Sequence, residues 1–240
     1  MFRLPEHEAL INRLGFNNGG VADAVKRLQS RDTTVPVGVN IGKNAATPIE
    51  RAVDDYLIAL RAVYATADYV TINISSPNTK DLRDLQAPES VAALVSTIVR
   101  EGNSLAKKHN QRKPIAVKIA PDIDDAIIAE VVSAIIDAGA DAIISGNTTI
   151  SRDGVAIHAV AKEAGGLSGR PLTARADAVL TRVVAASKAR VPVIGVGGIM
   201  SVADAQRKLD IGASLVQIYT GMLYRGPGFV GDLVRGVKSR

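Results

Sequence analysis

Two rhythms of apolar residues alternate along the chain: short, nearly continuous runs rich in β-branched residues, and longer segments in which apolar residues recur at helical spacing. The runs predict strands at Val35–Ile41, Tyr69–Ser75, Ile115–Ala120, Ala142–Ser145, Val193–Val196 and Leu215–Tyr219. The longer segments predict helices at Pro48–Ala65, Pro88–Lys108, Ile123–Ala138, Ala174–Ser187 and Val202–Leu209. Turns rich in Gly, Asn, Ser and Pro separate them, which is the βα cycle of a parallel sheet. Strands this continuously apolar are expected to be covered on both faces. Several helices open on a proline or follow a Ser, Thr or Asp able to cap the first turn.

A recurring phrase marks the return from helix to strand: Gly139-Ala140-Asp141-Ala142, Ile211-Gly212-Ala213-Ser214 and Thr66-Ala67-Asp68-Tyr69. The expected fold class is therefore α/β, a (β/α)8 TIM barrel, for which about 250 residues is typical. Only about six βα units are legible. Residues Met1–Arg31 carry helical periodicity from Ala22 to Leu28 but no strand candidate, so the expectation is a barrel shortened to about six units, in one domain spanning 1–240. An open sheet of that kind leaves two unpaired strand edges and part of its lumen exposed.

Composition narrows the chemistry. The 240 residues contain no cysteine, which removes disulfides, thiolate metal sites and a cysteine nucleophile. Lys and Arg number 29 against 24 Asp and Glu, and the resulting +5 charge favours anionic ligands without a basic patch. No nucleic-acid partner is expected, because three Phe, five Tyr and no Trp offer few platforms for stacking bases. No apolar run approaches the roughly 20 residues of a membrane span. The mixed stretch Met1–Glu8 does not read as a secretory leader, so no export and no membrane anchor in this chain are expected. His7, His109 and His158 are scattered, and no metal is expected. The pairs Asp54-Asp55 and Asp124-Asp125 read as acidic first turns of helices facing water. Ser168 lies in Gly-Leu-Ser-Gly, one residue short of a nucleophile elbow.

Strand C-terminal ends carry the active sites of barrel enzymes, and here they are rich in amides. The turns run Asn40 to Asn44, Asn73 to Thr79, Lys118 to Pro121 and Ser145 to Thr149. Asparagine offers a donor and an acceptor without charge, which suits a flat, heteroatom-rich ligand such as a pyrimidine or a flavin ring. Glycines cluster later, at Gly165 to Gly169, Gly195 to Gly198 and Gly221, where a mononucleotide phosphate is the expected ligand. Lys118 interrupts an apolar strand and points either into the barrel mouth or at a covering helix. A buried lysine needs an anionic partner or a lowered pKa.

Taken together, Asn12-Arg13-Leu14-Gly15-Phe16-Asn17-Asn18, the Asn73–Thr79 loop, Asn147-Thr148-Thr149, Gly165–Pro171 and Tyr219-Thr220-Gly221 resemble the quinone-linked (class 2) dihydroorotate dehydrogenases. The resemblance implies an FMN enzyme of pyrimidine synthesis that oxidises dihydroorotate to orotate and passes electrons to a membrane quinone. Ser76 then resembles the catalytic base, in a loop where class 1 relatives carry cysteine. Asn12, Arg13, Leu14, Gly15, Phe16, Asn73, Asn78, Asn147 and Thr148 correspond to the orotate site. Asn40, Asn73, Lys118, Gly146, Gly169, Gly198, Tyr219 and Thr220 correspond to flavin contacts. Relatives carry further segments ahead of the match at Asn12: a helical pair with the quinone tunnel and membrane contact, and two barrel strands. The resemblance implies a peripheral location on the cytoplasmic face of the inner membrane for such full-length members.

A serine hydroxyl is a weak base, so its proton must move onward through water or a neighbouring hydroxyl. Two other readings stay open on the residues: another FMN-dependent barrel oxidoreductase acting on a pyrimidine, and an inactive remnant.

Overall fold

The computed structural model describes residues 1–238. In chain order the elements are β1 (Phe2–Leu4), β2 (Ala9–Asn12), α1 (Val21–Gln29), β3 (Gly38–Ile41), α2 (Ala52–Val63), β4 (Tyr69–Asn73), α3 (Pro88–His109), β5 (Ile115–Ile119) and α4 (Ile128–Asp137). They continue with β6 (Ala142–Ser145), β7 (Gly166–Gly169), α5 (Thr173–Ser187), β8 (Val193–Val196), α6 (Val202–Ile211), β9 (Leu215–Gln217), α7 (Thr220–Arg225) and α8 (Gly228–Gly236). Six strands form a curled parallel sheet, part of a TIM barrel, in the order β3-β4-β5-β6-β8-β9. The strands β1, β2 and β7 form a separate antiparallel sheet in that order.

The core follows from the period-2 alternation of the parallel strands. Val70 and Ile72, Val117 and Ile119, and Ile143 belong to one buried cluster with Tyr56 and Leu60 of α2, Ile98 of α3, Val131 and Ile135 of α4, and Val179 and Leu180 of α5. The opposite face of the sheet is thereby left to a different set of residues. Register puts Asn73 of β4 beside Lys118 of β5 at the C-terminal end, so two polar side chains meet where the apolar pattern breaks.

Two acidic residues of the helix-to-strand phrase have a structural task. Asp68 accepts the amide of Val37 at 2.7 Å, and Asp141 accepts that of Ile115 at 2.8 Å. Each satisfies a backbone donor at the start of the neighbouring strand, where no ladder bond is available. The Arg31 guanidinium beside Asp68 holds that carboxyl below its usual range.

The expectation of no strand before Arg31 is corrected by β1 and β2. Their hairpin packs Leu4, Ala9 and Ile11 against Leu167, Val155 and Ala161 in a second buried cluster. β2 exists because β7 pairs with it from Asn12–Gly166 to Ala9–Gly169. Nothing local to a four-residue segment specifies that pairing, and β7, which is half glycine, has little strand propensity. The hairpin is also anchored by Tyr224 of α7, whose hydroxyl donates to the Ala9 carbonyl at 2.8 Å. A third cluster joins Ile199, Ala205, Phe229 and Leu233 under α6 and α8.

The pair Asp124-Asp125 is a second correction. α4 begins only at Ile128, because Asp124 turns the chain, accepting the Ala126 amide on its side chain and the Ile127 amide on its carbonyl. Asp125 instead pairs with Arg175 at 2.8 Å and Arg182 at 3.1 Å. Asp54 and Asp55 do occupy the first turn of α2.

Candidate active site

The C-terminal ends of β4, β5, β6, β8 and β9, together with the ends of β2 and β7, enclose a cavity of about 310 Å³. Its polar half is lined by Asn12, Asn73, Ser76, Asn78, Lys118, Asn147 and Thr148. Its other half is lined by Ser168 and Gly169, Gly197 to Met200, and Gln217 to Gly221. Leu14, Gly15, Phe16, Leu172 and Val196 supply apolar wall.

Hydrogen bonds among the rim amides decide which edges face the cavity. The Asn73 side-chain oxygen accepts from the amide of Ser75 at 3.1 Å and from its hydroxyl at 2.8 Å. Asn147 donates to the Ser75 hydroxyl at 2.8 Å, and its oxygen accepts the Thr148 amide at 2.8 Å. The Asn12 oxygen accepts from the Asn78 side chain at 3.3 Å. Among the described residues Asn73 and Asn12 are thus left with free NH₂ groups, and Asn78 with a free carbonyl oxygen. The Tyr56 hydroxyl, pushed up from its ordinary pKa by burial, donates to the Asn73 carbonyl at 2.8 Å and fixes the strand end beneath this network.

Three groups remain poised for a ligand. The Thr148 hydroxyl oxygen is buried without a hydrogen-bond partner among the described residues. That close fit depends on Gly166, since a Cβ there would sit 1.9 Å from the same oxygen. Lys118 has no hydrogen-bonding or ion-pair partner among the described residues, and burial depresses its ammonium from 10.5 to about 8. Ser76 is buried; its oxygen accepts the Asn78 amide at 3.2 Å, which leaves its proton free to be given. The lining residues include no carboxylate and no imidazole, so Lys118 and Tyr219 are the titratable side chains there.

The glycine-rich end is tightly built. Gly198 has φ +72°, and a Cβ on it would meet the Thr173 backbone nitrogen at 2.7 Å. Thr173 donates its hydroxyl to the Gly198 carbonyl at 2.9 Å, and Thr220 donates to Ser168 at 2.9 Å. The whole donor set, with amides and a cation at one end and closely approaching backbone at the other, fits a planar heterocycle with an anionic tail.

Of the residues singled out in the sequence, Asn12, Leu14, Gly15, Phe16, Asn73, Ser76, Asn78, Lys118, Asn147, Thr148, Gly169, Gly198, Tyr219 and Thr220 come together here. Three do not. Arg13 turns outward to pair with Glu163 at 2.7 Å. Asn40 is exposed on β3, which among the described residues pairs with β4 alone. Gly146 packs against the Val196 carbonyl, where a Cβ would come within 2.4 Å. Sequence reasoning missed Ser75, whose place in the Asn-Ile-Ser-Ser loop was visible but whose bridging role was not. It also missed the apolar lining of Val196 and Leu172, because apolar residues at such positions look like core. Among the described residues no cluster of three or more His, Cys, Asp and Glu is placed to hold a metal ion.

A parallel β/α sheet whose strand ends converge on one polar cavity defines a TIM-barrel-type enzyme with a site for a planar ligand. The family model for dihydroorotate dehydrogenase matches residues 1–240. The dihydroorotate dehydrogenase (quinone) of Chromobacterium violaceum is 52% identical over 235 residues, covering 98% of this chain and 68% of that protein. The dihydroorotate dehydrogenase (quinone) of Polaromonas naphthalenivorans is 50% identical over 246 residues, covering 100% of this chain and 70% of its own length. Among solved structures, the crystal structure of DHODH in complex with ferulenol from Eimeria tenella matches with a TM-score of 0.91 at 34% identity, over 98% of this chain and 68% of that one. The chain belongs to the dihydroorotate dehydrogenase family.

Proposed function

We propose that this chain oxidises (S)-dihydroorotate to orotate in pyrimidine biosynthesis, with FMN as hydride acceptor and a quinone as the final oxidant. The observation that carries it is the convergence on one cavity of five asparagines, Ser76 and Lys118, which has no partner among the described residues. The relatives' names, dihydroorotate dehydrogenase (quinone), support the same activity. Residues 1–240 act as a single domain in this reading.

The free NH₂ groups of Asn12 and Asn73, the Asn78 oxygen and the Thr148 hydroxyl hold the pyrimidine ring by its carbonyls and N–H groups. Asn147 gives one N–H to Ser75 and accepts the Thr148 amide, which leaves its second N–H for the ring. Ser76 Oγ takes the proton from C5 as the C5–H bond breaks, and passes its own proton to water because no carboxylate or imidazole lines the cavity. The electron pair of the C5–H bond becomes the C5=C6 double bond while hydride leaves C6. A bound flavin supplies the two-electron acceptor for that hydride. Lys118, whose ammonium is depressed by burial only to about 8 and so stays cationic at neutral pH, stabilises negative charge at that end of the cavity. The glycine-rich end, with Gly169, Gly198, Tyr219 and Thr220, receives the phosphate of FMN.

No helix among the described residues is long and apolar enough to cross a membrane. In this reading the electrons pass to a quinone at a membrane surface, which the quinone in the relatives' names supports.

The test is to supply FMN to the purified chain and follow bleaching of bound flavin when dihydroorotate is added without oxygen. Bleaching that Ser76→Ala slows by about 100-fold or more is expected from the loss of a proton acceptor. Bound flavin that dihydroorotate does not bleach, but another dihydropyrimidine does, overturns the substrate assignment.

A further inference from the structure

Ser76 stands on a loop, and its usefulness depends on what holds that loop against the opposite rim. One guanidinium does so. Arg83 lies in the short turn Leu82–Gln86 after β4 and reaches three successive strand-end loops. Its Nε donates to the Ser75 carbonyl at 3.1 Å, one terminal nitrogen donates to the Thr148 carbonyl at 2.9 Å, and the other to Asp122 at 2.6 Å. Asp122, just beyond β5, also accepts the Ile150 amide at 2.9 Å and the Thr149 hydroxyl. The two side chains are only 20% and 18% exposed. Neither lines the cavity, yet each bonds to a residue within two positions of Ser76 or Thr148.

We propose that Arg83, with Asp122 as its counter-charge, is a positioning residue that sets the separation between Ser76 and the Asn147–Thr148 rim. The inference rests on the reading of Ser76 as proton acceptor. A planar fork with donors in three directions is required, because one lysine nitrogen cannot span the Ser75 carbonyl, the Thr148 carbonyl and Asp122 together. Gln86 braces the same turn by accepting the Ala120 amide at 2.7 Å, so the turn itself is fixed independently of Arg83.

The test compares the full chain with its Arg83→Gln, Arg83→Lys and Asp122→Asn variants. The readouts are amide hydrogen exchange, orotate affinity by calorimetry, and kcat and KM for dihydroorotate. Arg83→Gln is expected to speed exchange at residues 74–79 and 147–150 together while α4 keeps its protection. Orotate affinity is expected to fall by about tenfold as fixed hydrogen-bonding edges are lost. Misplacement on the scale of an ångström lowers kcat by about 100-fold, with a smaller change in KM. Arg83→Lys restores neither loop. Should Arg83→Gln not fold, the isosteric Asp122→Asn is read by the same criteria.

Loosening of both loops with loss of orotate affinity supports the positioning role even if Ser76→Ala keeps full turnover, a result that overturns the role of Ser76 alone. Normal protection and normal affinity in Arg83→Gln, or rescue by lysine, overturns the positioning role even if Ser76→Ala is inactive.

Discussion

The Ser75 hydroxyl accepts a hydrogen bond from the Asn147 side chain at 2.8 Å, joining the loop after β4 to the loop after β6. Because the same hydroxyl donates to Asn73, it fixes which edge each amide presents. Ser75→Ala therefore removes one of the two bonds that orient each asparagine, leaving Asn73 with the Ser75 amide and Asn147 with the Thr148 amide. The expected result is a loss of about 1 kcal/mol of stability for the broken bonds. Orotate should bind about tenfold more weakly, since 1.4 kcal/mol of affinity is a factor of ten. Urea unfolding and calorimetry check the two numbers separately, and unchanged orotate affinity removes Ser75 from the site.

Lys118 gives the protein a distinct pH response. Its pKa is lowered by burial to about 8 in the folded chain against 10.5 as its ordinary value, so between these values the unfolded chain binds more protons. Stability must then rise as pH increases from about 8 to about 10.5 and be lost as pH falls back through about 8, by at most about 3 kcal/mol. Anion binding runs the other way, weakening above about pH 8 as the cation is lost. Urea unfolding of the wild type and of Lys118→Met at both ends of this window, taken as a difference, isolates the term. A difference that does not change with pH leaves Lys118 without the assigned environment.

Lys208 is fully buried and bonded to Asp177 at 2.7 Å, which also holds Arg207 at 2.8 Å. Burial pulls the lysine down in pKa while Asp177 pulls it back up. Asp177→Ala strands that ammonium and should cost about 3 kcal/mol or more. Replacing both, as Asp177→Leu with Lys208→Met, should cost less than the single change because no buried charge is left alone. A double variant less stable than Asp177→Ala refutes this account of the pair.

Gly198→Ala tests the glycine-rich end. The residue has φ +72° and backbone of Thr173 stands in the way of a Cβ, so the loop must shift. Strain of about 1–3 kcal/mol is expected, with flavin retention on gel filtration falling before the fold is lost. Full retention would separate this loop from the phosphate.

Much of this was legible in the chain itself, and the boundaries show why. Ala142–Ser145 and Val193–Val196 come out as expected, and Tyr69–Asn73, Ile115–Ile119 and Leu215–Gln217 end one or two residues early. Such buried parallel strands announce themselves by continuous apolar runs bounded by turns. Pro88 opens α3 and Ser201 caps α6, accepting the Asp204 amide, so local chemistry marked those starts correctly. By contrast β2 and β7 are defined by each other across the chain, and no periodicity within either carries that information. The site divides in the same way. Asparagines and Ser76 at strand ends were visible as types in a place. Arg83 and Asp122, which face protein and not cavity, were not, because their value lies in carbonyls on other loops that no sequence pattern names.

The bond between Tyr224 and the Ala9 carbonyl links positions 215 apart in sequence. Closing so long a loop carries a large entropic cost that is recovered only when both ends are already built. Strand β2, which ends at Asn12, precedes its partners β7 and α7 along the chain and can be fixed only once both have been synthesised. The side of the cavity that Asn12 supplies is thus completed only after all the strands of the parallel sheet, β3 to β9, have been made.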